Sequence, residues 1–490
     1  MNRNIHPFAF LIFTLLFLGS CATSSDTVIV IQDGPRTGAV TDDLDETESF
    51  FELTVGLMDP VRNFDPLFAE NLSTKKVLSL LYEGLFSFNS EGEIVPLLAQ
   101  EVNISEDGLE YVITLNRDRF YHDSPAFTAG LGRRIHALDV KWAFERAARS
   151  GVPTAAADLL MGVLGFENYY LEQRMVYDPQ ERVLGEVTGI IVPNAETIVI
   201  QLIDEDPDFL RKLASPYLFI YPREALSSGR DGLSSRAVGT GLYTLSRISS
   251  ERELILTRDN REHSRAGREL PQLNRILIRT FDSETALFQS FAREEIDWIP
   301  ELGPELLLQV TDEDYTLLPS YREPYSLMNT GHSRVSAFYL SRSTPDEWLS
   351  GRIALLTSED LTLRGSAYLQ NSQLEISDEA RPRERYFVPF TDNLVARSIL
   401  NQLNTLLFLP ESSLAFFDIR VPTRRTSIHT VTTDSFHQKM APVTENYWLR
   451  MDTPVVGLFH PHVTGIRSGG APWSLPVHYV RVNQRQQSSQ

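Results

Sequence analysis

The stretch from Leu81 to Arg146 reads LYEGLFSFNSEGEIVPLLAQEVNISEDGLEYVITLNRDRFYHDSPAFTAGLGRRIHALDVKWAFER. An apolar start leads into a turn at Asn89–Gly92, and a second turn at Ser105–Gly108 opens a run of β-branched and aromatic residues at Tyr111–Leu115, which predicts a strand. Helical spacing returns from Leu138 to Ala147. The stretch therefore predicts a compact α+β unit, and it contains no catalytic motif.

The whole chain has 490 residues, which is too long for one hydrophobic core and predicts two or three domains. Its hydrophobic content of 42% and charged content of 22% are ordinary for a globular protein. The net charge of −20 disfavours nucleic acid and anionic membrane surfaces as partners, because both require clustered Lys and Arg. The acidic excess is typical of an exported protein that must stay dissolved.

The N-terminus has the pattern of an export signal. Arg3 precedes an apolar run at Phe8–Leu18, which is too short to span a bilayer and suits a signal peptide. The run ends in Leu18-Gly19-Ser20-Cys21, which resembles the lipidation motif of bacterial lipoproteins, although an ordinary signal peptide with a chance cysteine is the alternative. Since Cys21 is the only cysteine in the chain, we expect it to carry a lipid anchor and the mature domains to lack disulfides.

Residues 22–49 are rich in Asp and Glu and predict a flexible acidic tether between the signal peptide (residues 1–21) and the fold. Beyond the tether, the pattern predicts a mixture of strands and helices. Further strands are expected at Phe51–Val55, Pro216–Ile220, Leu254–Arg258, Arg275–Arg279, Tyr325–Met328, Tyr386–Phe390 and Pro454–Phe459, and a hairpin at Gly189–Leu202. Helices are expected at Leu72–Leu81, Gly151–Tyr170, Asp206–Ala214, Ser283–Glu294 and Leu394–Leu407.

A series of short motifs follows the order found in one family of binding proteins. They are Met58-Asp59-Pro60 or Phe64-Asp65-Pro66, Leu81-Tyr82-Glu83-Gly84-Leu85, Ile94–Ala99, Ser105–Leu109, Phe120–Asp123, Ala137–Lys141, Val238–Tyr243 and Glu295-Ile296-Asp297. Near the end, Asp452–Leu458 is similar to the strand by which that family returns to its first lobe. By these motifs the chain resembles the family-five solute-binding proteins of ABC importers, the group that includes oligopeptide- and dipeptide-binding proteins.

The resemblance implies an α/β, two-lobed fold of the type II periplasmic-binding-protein kind, with mixed sheets flanked by helices. We expect the first lobe at residues 50–320, with an inserted subdomain at about 84–182, and a second lobe, smaller than usual in the family, at 321–445. Residues 446–480 would return to the first lobe and 481–490 would form a polar tail. Such lobes close on a ligand by hinge motion.

The same resemblance suggests residues that contact the ligand. Tyr121, Tyr243 and Tyr325 lie in or beside family motifs, with simple packing as the alternative for each. The glycines Gly239 and Gly241 suit a tight backbone near the cleft or hinge. The other candidates are Asp65, Leu327, Asn329 and, for the amino terminus of a peptide, Asp418.

Other chemistry is disfavoured. His460 and His462 could face the same side of a strand, but the sequence places no third His or Cys nearby, so a structural or surface role is favoured over a metal site. His122-Asp123 could belong to a hydrolytic pair, and the family motif favours a loop instead. Gly239-Thr240-Gly241 lacks the further residues of a phosphate loop. Trp142 and Phe144 are expected in the core.

We therefore expect a lipid-anchored solute-binding protein of an ABC importer, exposed outside the cytoplasm on the periplasmic side or the cell surface. It would be a monomer without cofactor or enzymatic activity, and it would bind a peptide or related solute between its lobes and work with ABC permease subunits. The alternative is a surface lipoprotein that keeps the scaffold but serves an interaction or structural role without transport, as the smaller second lobe would suit.

Overall fold

The computed structural model describes residues 51–227, 232–261, 270–312, 314–340, 368–369, 385–389, 413–417, 428–434 and 449–483. The helices are α1 (Leu72–Leu81), α2 (Ala137–Arg146), α3 (Ala155–Leu160), α4 (Phe166–Met175), α5 (Phe209–Leu213), α6 (Glu224–Ser227), α7 (Glu284–Ala292), α8 (Pro304–Val310) and α9 (Pro319–Arg322). The strands of the N-terminal half are β1 (Glu52–Leu57), β2 (Phe86–Phe88), β3 (Ile94–Pro96), β4 (Ala99–Ile104), β5 (Glu110–Leu115), β6 (Ile190–Asn194), β7 (Thr197–Gln201), β8 (Tyr243–Ser250), β9 (Glu253–Arg258) and β10 (Arg275–Thr280). The later strands are β11 (Trp298–Ile299), β12 (Ser326–Leu340), β13 (Tyr368–Leu369), β14 (Arg385–Pro389), β15 (Ser413–Phe417), β16 (Ile428–Asp434), β17 (Leu449–Phe459), β18 (Val463–Thr464) and β19 (Arg481–Val482).

The central sheet has the strand order β16-β12-β17-β11-β1-β10-β9-β8, with β13 added beside β17. Strand β1 lies within it and pairs in parallel with β10 and β11. Leu53 and Val55 are fully buried, and so are Ile276 and Ile278 of β10, as expected for parallel strands covered on both faces. The mixed sheets flanked by helices that the sequence predicts are thereby confirmed.

The stretch Leu81–Arg146 contributes β4 and β5 to a second sheet with the order β4-β5-β7-β6, and the hairpin of β6 and β7 completes it. Helix α2 contacts β6 and β7 and buries Val140 and Phe144. Leu138 is 62% exposed and Trp142 half-buried, because the helix turns its Ala137, Val140 and Phe144 side towards the interior. The core position predicted for Phe144 is confirmed, whereas Trp142 is only partly buried and packs against the edge of the core.

Two local predictions were wrong. Pro216–Leu218 forms a 3₁₀ helix instead of a strand; its first residue, Pro216, has the fixed φ that suits a helix start and lacks a ladder donor. The single helix expected over Gly151–Tyr170 is split into α3 and α4. Gly165, whose φ is +78°, turns the chain before α4 and would bring any Cβ against Thr188.

The long strands β12 and β17 lie within the central sheet and join β11 on one side to β16 and β13 on the other. Ser326–Asn329 pairs with the Val456–Phe459 end of β17, which also pairs with β11, while Arg334–Leu340 pairs with β16. Between these halves the register shifts from Asn329↔Val456 to Ser333↔Pro454, so four steps along β12 match two along β17. This β-bulge contains Gly331, whose φ is +80°. The bulge divides the two strands into a half beside β11 and a half beside β16 and β13.

At the C-terminal end, Val463↔Val482 and Thr464↔Arg481 pair β18 with β19. The paired structure thus continues past residue 480, where we placed the start of the polar tail. None of the helices in the described ranges is long and apolar enough to cross a membrane.

Candidate functional site

A cavity of about 170 Å³ lies beside the bulge of the two long strands. Its lining comes from α1, β11 and the loop after it, the strands β12 and β17, and residues 467–476, which we call the C-terminal segment. The lining residues are Leu72, Lys76, Trp298, Pro300, Glu301, Met328, Thr330, His332, Val455, Arg467, Gly469, Ala471, Pro472, Ser474 and Pro476. A concave site with apolar walls and a few charged groups is the usual form of a small-ligand site.

Helix α1 presents one residue per turn to this cavity. Its first turn is fixed by Asn71, whose side chain accepts a hydrogen bond of 2.7 Å from the backbone N–H of Thr74. Leu72 and Lys76 are four residues apart and therefore share a helix face. Val77, Leu78 and Leu81 point into the core and hold the helix in place.

Lys76 is a buried cation in the cavity wall. Its ammonium group donates to Oε2 of Glu301 at 3.1 Å and to the carbonyl oxygen of Pro472 at 3.0 Å. Only 6% of the Lys76 side chain and 13% of the Glu301 side chain are exposed. The ion pair with Glu301 compensates two charges that burial would otherwise penalise, and the bond to Pro472 joins α1 to the C-terminal segment.

The C-terminal segment is fastened to the bulge of β12. The N–H of Gly469 donates to the carbonyl oxygen of Thr330 at 2.9 Å, and the N–H of Gly470 donates to Asn89 at 3.1 Å. Gly469 has a φ of +99°, and a Cβ there would collide with the carbonyl oxygen of Ser90. Thr330 also donates from its hydroxyl to Val455 at 2.8 Å. The bulge, both long strands and the C-terminal segment thus meet at the cavity.

The residues predicted at the start of β12 and just before it do not line this cavity, because side chains alternate between the two faces of the strand. Met328 and Thr330 line the cavity, whereas Tyr325 and Leu327 pack against a separate apolar cluster around Phe291. Asn329 is exposed and accepts from the N–H of Gly331 at 2.9 Å. Successive side chains of a strand point to opposite faces, which explains the one-residue difference. Ligand contact by Tyr325, Leu327 and Asn329 stays a prediction.

Asp65 lies in the interior, away from the cavity. It caps the 3₁₀ helix Pro66–Phe68 and forms a two-pronged ion pair with Arg146 of α2, in which Nη1 donates to Oδ1 at 2.9 Å. The same Nη1 donates to the Tyr221 hydroxyl at 2.9 Å. Burial raises the pKa of Tyr221 well above its ordinary value, so the phenol stays neutral. These contacts hold α2 against the loop that contains Asp65 and Pro66.

Tyr121, Gly239 and Gly241 meet around the end of α1. His122 ties them together, because its N–H donates to Gly239 at 2.8 Å and its Nε2 lies 2.8 Å from the carbonyl oxygen of Gly241. A Cβ on either glycine would collide with the backbone of Leu80 or Leu81. The two glycines thus allow their backbone to lie close to the end of α1. Tyr121 is fully buried, and burial raises its pKa.

A second cavity, of about 190 Å³, is bordered by Gly241 and Tyr243. Tyr243 is almost fully buried and donates from its hydroxyl to Leu273 at 3.2 Å. The C-terminal segment separates this cavity from the first, since Ala471, Ser474 and Pro476 line both. Of the predicted residues, Gly241 and Tyr243 are therefore brought together at one cavity, and Asp65 and Tyr121 border neither.

The two histidines of the His460-Pro461-His462 motif have separate partners. Nε2 of His460 lies 2.8 Å from the carbonyl oxygen of Phe291, and Nε2 of His462 lies 2.8 Å from Oδ1 of Asp297. Asp297 in turn accepts from the N–H of Thr54 at 2.7 Å. The motif thus fastens the end of β17 to β1 and the Asp297 loop. In the part of the chain that the structure describes, no three His, Cys, Asp or Glu side chains are grouped so that they could hold a metal ion.

Cys21, Asp418 and the helix expected at Leu394–Leu407 lie outside the described residues. Sequence reasoning missed Lys76, Met328, Thr330 and Arg467 as cavity residues. A signal for Lys76 was present, since it interrupts the apolar face of α1 directly before Val77 and Leu78. No local signal marks Arg467, because its place depends on contacts between distant parts of the chain.

A mixed sheet flanked by helices, with two long paired strands and a cavity beside their bulge, is the architecture expected of a solute-binding protein of the periplasmic type. The family model described as "Bacterial extracellular solute-binding proteins, family 5 Middle" matches residues 93–338, half of the chain. The chain belongs to this family, as its motifs predict.

Individual relatives agree with this assignment. The chain is 26% identical over 285 residues to the peptide transport periplasmic protein SapA of Haemophilus influenzae, covering 52% of this chain and 46% of SapA. The chain thus matches about half the length of this curated relative.

Solved structures extend the likeness to most of the fold. The murein tripeptide binding protein MppA of Escherichia coli superposes with a TM-score of 0.62 at 14% identity, over 89% of this chain and 99% of MppA. The ABC transporter-associated periplasmic binding protein DppA of Helicobacter pylori, solved with the peptide STSA, gives a TM-score of 0.59 at 14% identity, over 88% of this chain and 98% of DppA. The fold is therefore that of type II periplasmic binding proteins.

Proposed function

We propose that this chain is the lipid-anchored solute-binding component of an ABC importer, and that it captures peptides or a related small solute in the cavity beside the long strands. The observation that carries the proposal is the position of the cavity. It is lined by α1 and by the bulge of the two long strands, so a bound solute would contact the segment about which the lobes would rotate.

The hinge would be the bulge of β12 at Asn329–Ser333 together with Pro454–Val456 of β17. Gly331 adopts positive φ there, and β12 pairs continuously on either side of the interruption. A short irregular segment between two paired segments can absorb backbone rotation while the flanking sheets move as rigid bodies. Closure would bring residues of the second lobe, which we place at 321–445 and expect to be reduced, over the cavity.

The anchor would be a lipid on Cys21. The motif Leu18-Gly19-Ser20-Cys21 follows an apolar run of signal-peptide length, and the chain has no other cysteine that would favour a disulfide role. An anchor with two or more acyl chains suffices for stable membrane attachment. Residues 22–49 would tether the folded part to the envelope, outside the cytoplasm.

Native mass spectrometry of the full chain, purified from its host without added ligand, tests the capture of a solute. We expect added mass that corresponds to peptides or another small solute. In parallel, a synthetic peptide mixture at about 100 times its dissociation constant should stabilise the protein by about 2.7 kcal/mol and raise its melting temperature. A protein that carries no solute, and whose melting temperature does not change when the peptide mixture is added, would refute peptide capture. That result would favour an interaction or structural role without transport.

A further inference from the structure

Aromatic rings form much of the wall of the second cavity. Six rings contribute to it, those of Tyr82, Phe86, Phe88, Phe219, Tyr243 and Trp473. Tyr82, Phe86 and Tyr243 are almost fully buried, so close packing fixes their positions. The ring of Phe88 meets that of Trp473 edge to face, with 6.1 Å between the centroids. The cavity therefore offers a ligand rigid aromatic walls, against which another ring packs favourably.

The hydroxyl groups of four lining residues already have hydrogen-bond partners in the backbone. Ser79 and Ser474 each donate to a carbonyl oxygen at 2.7 Å. Tyr82 accepts from a backbone N–H and Tyr243 donates to a carbonyl oxygen, both at 3.2 Å. Because these hydroxyls are engaged, a polar ligand would gain less from them than an apolar ligand gains from leaving water.

The charged group in this lining is Glu83. It is 7% exposed, and the described lining residues include no Lys or Arg. The lining also includes His478, which is partly exposed. A ligand anion buried beside Glu83 would face a like charge where the dielectric is low. The cavity therefore disfavours carboxylates and other anions and favours uncharged ligands.

The volume of the second cavity, about 190 Å³, suits a small ring system. For comparison, an apolar cavity of about 150 Å³ inside a protein binds benzene. A ring bound among aromatic walls exchanges contacts with water for dispersion contacts with carbon atoms. The size, the walls and the charge of the cavity thus agree on one class of ligand, a neutral molecule of one or two rings.

We propose that the second cavity binds a small uncharged aromatic molecule of about the size of indole. The C-terminal segment divides this site from the cavity that we assign to the solute, because Ala471, Ser474 and Pro476 line both cavities. The aromatic site is therefore distinct from the site of solute capture and does not depend on transport.

Isothermal titration calorimetry of the full chain with indole tests this site. We expect saturable binding of one indole per chain with a dissociation constant of roughly 1 mM or lower, which a ligand of about nine non-hydrogen atoms can reach. Indole-3-carboxylate adds a negative charge to the same rings and should bind at least about tenfold more weakly because of Glu83. The absence of saturable indole binding would overturn the proposal, and equal binding of the two compounds would overturn the class of ligand.

Variants that fill the cavity locate the bound indole. Leu242 lines the second cavity and is partly buried. Leu242→Trp should abolish indole binding, whereas Leu242→Met, which conserves volume, should retain it. Ser87→Phe fills the same cavity from β2, so the test does not depend on the folding of Leu242→Trp. Indole binding that survives both filling variants would place the ligand elsewhere and overturn the site.

The first cavity supplies the reciprocal control. Met328 lines the first cavity but not the second, so a folded Met328→Trp protein should bind indole as the original chain does. Loss of indole binding in that protein, or direct competition between indole and the peptide mixture, would indicate one shared site and overturn the inference. If indole binds and peptides do not, the proposed function fails and the aromatic site stands. If peptides bind and indole does not, only the aromatic site is overturned.

Discussion

Replacement of Asp65 by Ala separates the structural and ligand-binding interpretations of a residue that lies in a family motif. In the structure both carboxylate oxygens of Asp65 accept from Arg146, and Oδ1 also accepts from the N–H of Leu67 at 3.2 Å. Only 6% of the Asp65 side chain and 10% of the Arg146 side chain are exposed. The substitution therefore leaves a buried guanidinium without its counter-ion.

The magnitude follows from these contacts. Breaking a buried ion pair by removing one partner costs about 3–5 kcal/mol. Loss of the cap on the 3₁₀ helix adds about 1 kcal/mol. A total of about 4–6 kcal/mol is a large part of the roughly 5–15 kcal/mol typical of folded proteins. We expect the urea midpoint of Asp65→Ala to fall steeply.

Equilibrium urea unfolding, followed by tryptophan fluorescence, measures this change. Trp142 is a suitable reporter, because its ring centroid lies 5.8 Å from that of Tyr221, which also binds Arg146. The control is the double variant Asp65→Leu with Arg146→Met, which removes both charges and should recover most of the loss. A stable Asp65→Ala protein that has lost solute binding would refute the structural interpretation and return Asp65 to the ligand site.

Two further predictions concern the backbone and pH. Gly469→Ala should lower the urea midpoint more than Gly331→Ala does. Both glycines have positive φ, but a Cβ at Gly469 would collide with Ser90, whereas the atom nearest to a Cβ at Gly331 is 3.9 Å away. Equal midpoints for the two variants would contradict the packing described for the C-terminal segment. Burial lowers the pKa of His460 from its ordinary 6.5, so the folded state binds fewer protons than the unfolded state below that pH. The free energy of unfolding is therefore not reduced by His460 above about pH 7. It falls as the pH drops through about 6.5, by up to about 1.4 kcal/mol per pH unit. Urea unfolding at about pH 7.5 and about pH 5.5, on either side of that window, should show a smaller pH dependence in His460→Gln than in the original chain, and an unchanged dependence would place the titration elsewhere.

Much of the fold could be predicted because its signals are local. Helix α1 is confirmed at the bounds predicted from its spacing, and the hairpin Gly189–Leu202 is confirmed as β6 and β7. The 3₁₀ helix at Pro216 escaped prediction, because a short apolar run flanked by proline has no periodicity that separates a strand from a tight turn.

The site was harder to predict, because its residues come from parts of the chain that are far apart in sequence. Lys76 and Pro472 are separated by 396 positions, and only the folded chain brings them into contact. The sequence proposes Leu327 and Asn329 as ligand contacts, which stays a prediction, and the structure adds Met328 and Thr330 as residues that line the cavity. A shift of one residue reverses the face of a strand, and the sequence around Met328 mixes apolar and polar residues without a strict alternation from which the face can be read.

The central claim is that a solute binds in the cavity bounded by α1 and the long strands. The most direct measurement is the rise in melting temperature on adding the synthetic peptide mixture to two variants of Met328, which lines that cavity. Met328→Trp fills the cavity and should abolish the rise, whereas Met328→Leu, which conserves volume, should retain it. A Met328→Trp protein that shows the same rise as the original chain would contradict the claim and place the bound solute elsewhere.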